Sequence, residues 1–452
     1  MDRSDSYRDT YCVIGAGTCG LAAARNLHAR GIPVQVLEEQ DSLGGNWYYG
    51  SPNSSMYDSA HLISSKRLGS YTDFPMPDDY PDYPGHRHVL AYLQSYAAEH
   101  GLERLIEPNS PVTRVAPAEG GGWDITIADR EQRRYAGVIV ANGHHREPLF
   151  PDLPGEFTGE SLHSSQYKRP DVFTGKRVLI IGGGNSGCDI AVDSVPFSAR
   201  VIHSMRRGYY FFPKIVMGKP IDEINELTHK LRMPLPLRRF VAGLMLRAHV
   251  GRNTDYGLPE PDHKLFESHL IVNSRLLYHL KHGDITPKPD VAKLRGDIVE
   301  FSDGSEEQID LILYATGFKP AWPFLDTAAG APSYQEMMRL YASIFHPQYD
   351  GFFVAGLVQP DVGIWRLADL QSQLIARVIE AQQNAPDAAA WFRARKRGPL
   401  PRLSPYAYQE SERHRLEVEH TTYERLMRNE IARLDRQLAN RPRRPAPQKT
   451  GV

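Results

Sequence analysis

The stretch Tyr11–Trp47, YCVIGAGTCGLAAARNLHARGIPVQVLEEQDSLGGNW, decides the fold. A short β-branched strand (Cys12 to Ile14) runs into Gly15-Ala16-Gly17-Thr18-Cys19-Gly20, which opens an Ala- and Leu-rich helix and leads to a second strand, Val34 to Leu37. This is a βαβ unit with a GxGxxG turn. Gly15 permits the tight turn, Gly17 lets a pyrophosphate approach the backbone, and Gly20 allows close packing of helix on strand, so phosphates sit at a helix N-terminus. Glu38 ends the second strand, where an acid accepts a hydrogen bond from a ribose hydroxyl. The Gly44-Gly45-Asn46-Trp47 turn that follows is unusual for a site that takes NAD alone; it is the turn that flavoproteins with two dinucleotide-binding domains set against the flavin nucleotide.

A second unit of the same kind starts at Val178 to Ile181 and carries Gly182-Gly183-Gly184-Asn185-Ser186-Gly187. Its second strand, Arg200 to His203, ends in Ser204-Met205-Arg206-Arg207 instead of an acid. Losing the acid removes repulsion toward a 2′-phosphate and the arginines supply charge-assisted donors to it, so NADPH is expected over NADH. Two strand-to-glycine turns, Ala141-Asn142-Gly143 and Ala315-Thr316-Gly317, echo each other, one per unit. The expected fold is α/β, with two Rossmann-like domains and the NADP domain inserted in the FAD domain.

The remaining features set limits. A chain of 452 residues with 41% hydrophobic and 24% charged residues is an ordinary globular enzyme, long enough for two or three cores. With 53 Lys and Arg against 54 Asp and Glu, no global field recruits nucleic acid, although the stretch beyond Ala385 is basic. MDRSDSYRDT lacks a signal peptide's apolar core, and no run approaches the roughly 18 apolar residues of a membrane span, so a cytoplasmic location is expected. The cysteines, Cys12, Cys19 and Cys188, form no CxxC pair; they read as small buried residues, which argues against a dithiol reductase. His144 and His145 read as linker residues, and no metal site is expected.

In chain order, residues 48–87 lack regular period, and a structureless stretch of that length often closes over a ligand. A helix at His88 to His100 precedes strands near Val112, Trp123 and Val138, taken together as a β-meander. Phe157 to Tyr167 reads as a strand-like linker, and residues 213–262 as an insertion of short helices. Within that insertion, the apolar Phe240 to Val250 suits core or a dimer surface better than a membrane-surface or substrate-access helix. The helix from about Leu367 brings Gln371 to the flavin's polar edge. Leu416, Tyr423, Met427, Ile431, Leu434 and Leu438 mark a docked amphipathic helix. The expected boundaries are 1–168 (FAD domain, first part), 169–318 (NADP domain), 319–440 (FAD domain, second part and terminal helix) and 441–452 (disordered tail).

Taken together these stretches resemble the flavin-containing monooxygenases, within the class B flavoprotein monooxygenases, over nearly the whole chain. The family fingerprint FxGxxxHxxx(Y/F) is met by Phe157, Gly159, His163 and Tyr167; Tyr167-Lys168 stands where Baeyer-Villiger relatives carry Trp-Pro. GGNW at Gly44–Trp47, SSK at Ser64–Lys66, NSGCD at Asn185–Asp189 and ATGF at Ala315–Phe318 are similar too. The resemblance implies that NADPH reduces FAD, that the reduced flavin adds O₂ at C4a, and that the resulting hydroperoxide oxygenates a nitrogen or sulfur centre of a small molecule. Baeyer-Villiger oxidation of a ketone, or a flavoprotein oxidase or reductase without oxygen insertion, are the alternatives. It implies FAD contacts at Gly15, Gly17, Thr18, Cys19, Gly20, Glu38, Gly45, Asn46, Trp47, Ser64, Asp73, Val112 and Gln371. The NADP contacts are Gly182, Gly184, Asn185, Ser186, Gly187, Ser204, Arg206 and Arg207. In many members an Asn precedes the residue matching Ser64; here Ile63 stands there and donates no hydrogen bond, so either Ser64, the catalytic candidate, or His61 or the nicotinamide amide does that work, or the peroxide is shorter lived. His163 is expected to hold the domain hinge, and a homodimer is a further expectation.

Overall fold

The computed structural model describes residues 7–268, 270–406 and 415–439. Two five-stranded parallel sheets organise it. In the first, β1 (Tyr11–Ile14) lies between β2 (Val34–Leu37) and β7 (Gly137–Val140); β3 (Ile106–Glu107) flanks β2, and Phe352–Val354 flanks β7. In the second, the order is Glu160–His163, Leu311–Tyr314, Arg177–Ile181, Arg200–Ser204, Ile285–Lys288. β1, β7 and Leu311–Tyr314 are buried at every residue, because helices cover one face of each sheet and antiparallel strands pack on the other. The last strand of the first sheet comes from beyond residue 350, so the second unit is nested within the first.

Helix α1 (Thr18–His28) follows the glycine loop and buries Leu21, Ala22, Ala23, Ala24 and Leu27; its small residues admit the long helix Trp365–Asn384 at close range. The helix His420–Ala439 docks on that layer through Tyr423, Met427, Ile431 and Leu434, all buried, as the spacing of these residues requires. Leu416 precedes this helix instead of belonging to it, and Leu438 is only partly buried. Residues 441–452, expected to form a disordered tail, lie outside the described residues.

Several expectations change. The three-stranded antiparallel meander is β4 (Val112–Pro117), β5 (Trp123–Ile127) and β6 (Glu131–Tyr135); β6 has only Arg133 and Tyr135 buried and so showed too little apolar alternation to be recognised. The strand at Val138 belongs to the parallel sheet instead. The Phe157–Tyr167 stretch is not merely a linker: Glu160–His163 is the edge strand of the second sheet, and Gly155–Phe157 pairs with Val291–Gly296, so the second unit begins near residue 155 and not at 169. Its insertion is wider than 213–262, leaving the sheet after Ser204 and returning at Ile285. It carries α4 (Ile221–Lys230) and α5 (Leu235–His249), numbered after α2 (His86–Glu99) and α3 (Asn185–Ser194). In α5 the buried residues are Arg238 and Leu246, while Phe240 is 69% exposed, so Phe240–Val250 is not core as a whole. No helix among the described residues is long and apolar enough to cross a membrane.

This packing predicts that Leu434→Ala, which empties a fully buried site, costs about 2–5 kcal/mol. Leu400→Ala, at a side chain 58% exposed, should stay within about 0.5 kcal/mol. Denaturant unfolding of the two variants checks this; equal losses would contradict the docked-helix packing.

Candidate active site

The two glycine loops are built alike. Gly15 has φ +101° and a Cβ there would lie 2.9 Å from the Ala141 carbonyl oxygen; Gly182 has φ +126° and the same distance to Ala315 would be 2.3 Å. Each loop is thus backed by the strand-to-glycine turn that echoes it. Gly20 faces the Gly15 carbonyl at 1.8 Å from a would-be Cβ, and Gly187 faces the Gly182 carbonyl at 2.0 Å, so any side chain at either position drives the helix away from its loop. Gly17 caps α1 and Gly184 caps α3, neither with a side-chain bond, which leaves Thr18–Gly20 and Asn185–Gly187 presenting first-turn N–H groups for phosphate.

In the first loop the Gly44 N–H donates to the Ala16 carbonyl, and a Cβ on Gly45 would meet the Gly17 Cα at 2.8 Å, so the GGNW turn rests directly on the glycine loop. Gly45, Asn46 and Trp47 form one turn of 3₁₀ helix. The Asn46 side-chain oxygen accepts from the Ser55 N–H (2.8 Å) and hydroxyl, so that side chain holds the following loop. Glu38 is buried; its carboxylate accepts from the Ala16 N–H (2.6 Å) and the Gln40 N–H (2.9 Å), while burial pushes its pKa up. Val112 opens β4, two residues after Ser110, whose N–H donates to the Glu38 carbonyl, so it belongs to this end of the site. Burial holds the Cys19 thiol protonated, with its pKa pushed up to about 12, and Cys19 packs against the Gly356 turn.

Two residues expected at the FAD have side chains bonded within the protein. Asp73 pairs with Arg25 in the last turn of α1, about 10 Å along the helix from its N-terminus. Gln371 is fully buried; its oxygen accepts from the Gly356 N–H (2.9 Å) and its amide donates to the Tyr423 hydroxyl (2.7 Å), so it braces that turn. At the second loop Asn185 spends its side chain on Leu270 and Val272, leaving its backbone N–H, while Ser186 is exposed. Ser204 is buried and donates to the Pro289 carbonyl (2.6 Å), so its hydroxyl is not free for a 2′-phosphate. Arg206 is exposed, and Arg207 lies 3.9 Å from Asp262.

The segment between the two units explains how they are held. Tyr57 donates to Asp189 (3.3 Å) and Ser59 to Asp193, both on α3; the Ser65 N–H donates to Asp222 on α4 (2.7 Å); Arg67 pairs with Glu223 (3.3 Å) and Glu226. His163 is buried, donates through Nε2 to the Gly317 carbonyl (3.1 Å) and accepts at Nδ1 from the Ser165 N–H (3.2 Å), tying the fingerprint strand to the turn behind the second loop; burial lowers its pKa.

This segment carries Ile63 and Ser64 to a cavity of about 90 Å³, partly open to solvent. Its other walls are insertion residues, among them Phe212, Ile224, Val241 and Met245, together with Asp361 and Val362 from the stretch before Trp365. The Ser64 side chain makes no hydrogen bond within the described residues. The insertion side of the cavity had no sequence motif. Only the apolar, Arg-punctuated composition of 213–262 marked it. Among the described residues no group of His, Cys, Asp and Glu could hold a metal ion.

A family model described as flavin-binding monooxygenase-like matches residues 9–417. The chain belongs to that family. Flavin-containing monooxygenase 5 of Oryctolagus cuniculus is 30% identical over 395 residues, covering 83% of this chain and 74% of its own; flavin-containing monooxygenase 2 of Homo sapiens is 32% identical over 396 residues with the same coverage. Among solved structures, the S-allyl-L-cysteine S-oxygenase of Allium sativum superposes with TM-score 0.65 at 22% identity over 94% of this chain and 88% of that one. An open cyclohexanone monooxygenase gives 0.67 at 18% identity over 96% and 98%. Both share the two-unit fold. The protein is an NADPH-dependent flavin monooxygenase whose cofactors are FAD and NADPH.

The loop geometry separates two variants. Gly187→Ala should abolish NADP⁺ binding while the protein still purifies with bound flavin, and Gly20→Ala should yield protein without flavin. Flavin absorbance and NADP⁺ titration check both; a Gly187→Ala protein with undiminished NADP⁺ affinity would contradict the assignment.

Proposed function

We propose that this enzyme uses NADPH and O₂ to oxygenate a nitrogen or sulfur centre of a small organic molecule. The observation that carries the reading is the cavity shared by Ile63 and Ser64 of the first unit and the mostly apolar wall of the insertion. Such a wall admits an uncharged soft nucleophile and keeps water from the reacting atoms. Within this reading FAD sits on the first loop, with its diphosphate at Gly15–Gly20 and Gly45–Trp47 and its ribose at Glu38. NADPH sits on the second loop, with its 2′-phosphate at Arg206. The flavin, once reduced by NADPH, supplies the activated oxygen. The protein's part is to place the two rings, exclude water and offer the unpartnered Ser64 hydroxyl where Ile63 offers nothing.

Oxygenation of nitrogen or sulfur is favoured over ketone oxidation by two points. Relatives at 30–32% identity include proteins named dimethylaniline monooxygenase [N-oxide-forming] 2. Lys168, standing where Baeyer-Villiger relatives have Pro, donates to the carbonyls of Met56 (3.2 Å) and Ser165 (3.0 Å), a role Pro cannot fill. The proposal extends to a cytoplasmic enzyme, with the exposed Phe240 and Leu244 as the face through which two copies pair.

Turnover of amines, sulfides and ketones under isotopically labelled O₂ tests the reaction: one labelled oxygen in an N-oxide or S-oxide is expected. Quantitative peroxide release with every substrate, or an ester as the sole product, would contradict it. Arg206→Ala should raise the KM for NADPH at least tenfold, in line with about 1.5–3 kcal/mol for a charge-assisted bond, and leave that for NADH nearly unchanged; equal changes would remove the 2′-phosphate role. Ile63→Asn should lower the peroxide released per NADPH if the missing amide is a deficit, and an unchanged ratio would show that Ser64 already suffices.

A further inference from the structure

One face of α4 lines the cavity, because Ile221, Asp222, Ile224, Asn225 and Thr228 recur at three- and four-residue spacing. The segment bearing Ile63 and Ser64 runs along that face. The Ser65 N–H donates to Asp222 (2.7 Å), and Arg67 pairs with Glu223 (3.3 Å) and Glu226. Asn225 stands one helical turn beyond Asp222, so its side chain shares the cavity wall with Ile63, which offers no donor, and with Ser64.

Most polar groups on this wall are committed. Asp222 accepts from the Ser65 and Glu223 N–H groups, Thr228 gives its hydroxyl proton to the Asn225 backbone carbonyl (2.7 Å), and Asp361 accepts from the His420 N–H (2.9 Å). Arg238 is buried; one terminal nitrogen meets the Tyr406 hydroxyl (3.2 Å) and the His229 ring (3.5 Å), and the other donates to the Asn225 side chain (3.2 Å). A guanidinium has donors only, so the atom it meets is the Asn225 oxygen, and this fixes which way the amide is turned. The Asn225 N–H₂ makes no hydrogen bond within the described residues, and the side chain is half-buried and not sealed off. That leaves the Asn225 amide, beside the Ser64 hydroxyl, to donate to a ligand.

We propose, resting on the oxygenation reading, that the Asn225 amide donates a hydrogen bond to the oxygen atom being transferred and holds it as the oxide of the product. In the net reaction one atom of O₂ ends on the substrate nitrogen or sulfur and the other leaves as water, with a hydride from NADPH and a proton from solvent. An uncharged amine or sulfide presents only a lone pair, and a thioether sulfur is a weak acceptor. The same centre carrying oxygen presents a strongly negative acceptor. A donor already turned by Arg238 therefore gains its partner as the oxygen arrives, which favours the transition state and product over the substrate. Asn225 is then a catalytic residue on the insertion, at a helix position that no motif marks.

Calorimetric titration of the FAD-loaded enzyme, saturated with NADP⁺, tests this without turnover, with tetrahydrothiophene and its S-oxide as probes. Asn225→Asp keeps an oxygen for Arg238 and replaces the donor by an acceptor. It should weaken S-oxide binding at least about tenfold and change sulfide binding less than about threefold. Asn225→Leu, close in size and without a donor, should weaken the S-oxide at least about fivefold with the same small effect on the sulfide, and decides the matter if the Asp variant does not fold. An unchanged S-oxide affinity in a folded Asn225 variant, or equal losses for both probes, would overturn the proposal. A protein whose S-oxide binding depends on Asn225 but which oxygenates nothing would retire the oxygenation reading alone.

Discussion

The structure depends on a contact between a glycine and a carbonyl, made twice. Gly20 sits against the Gly15 carbonyl and Gly187 against that of Gly182, at distances no Cβ tolerates. Those contacts bring a helix N-terminus to the end of a parallel strand and aim its unpaired N–H groups at one point in space, which is what a diphosphate needs. Everything else arranges what each diphosphate carries. The turns at Ala141 and Ala315 back the loops from behind, and Gly45 closes on Gly17 in the first unit alone.

One unit is nested in the chain of the other. Because the chain returns to the first sheet after residue 350, the second unit is held at both of its ends. The irregular segment after Trp47 adds Tyr57, Ser59, Ser65 and Arg67 as polar fastenings onto α3 and α4. The same segment delivers Ile63 and Ser64 to the cavity, so one length of chain both fastens the units and lines the site. His163 works from the other side, as a neutral ring bonded to the turn behind the second loop.

Much of this was legible in the sequence because backbone geometry leaves few choices. The glycines at 15, 17, 20, 182, 184 and 187, the acid at Glu38 and the periodic apolar residues from Tyr423 to Leu434 are constrained by local sterics and by one packing face, so the turns, the strand end and the helix stand where the sequence puts them. Side-chain partners were not legible. Gln371, Asp73, Ser204 and Asn185 are polar residues at suitable sequence positions, yet each is bonded within the protein to a group distant in sequence. The strand at Glu160 was misread as a linker because three of its four residues are not buried, and strand β6 because its faces are mostly charged.

The central claim is that one polypeptide holds a flavin and a nicotinamide dinucleotide at the same time on two separate helix N-termini. Equilibrium titration of flavin-stripped protein with FAD, then of the FAD-loaded protein with NADP⁺, measures this most directly. The account requires one equivalent of each per chain, with FAD retained as NADP⁺ saturates. Displacement of FAD by NADP⁺, or a single nucleotide bound in total, would contradict it.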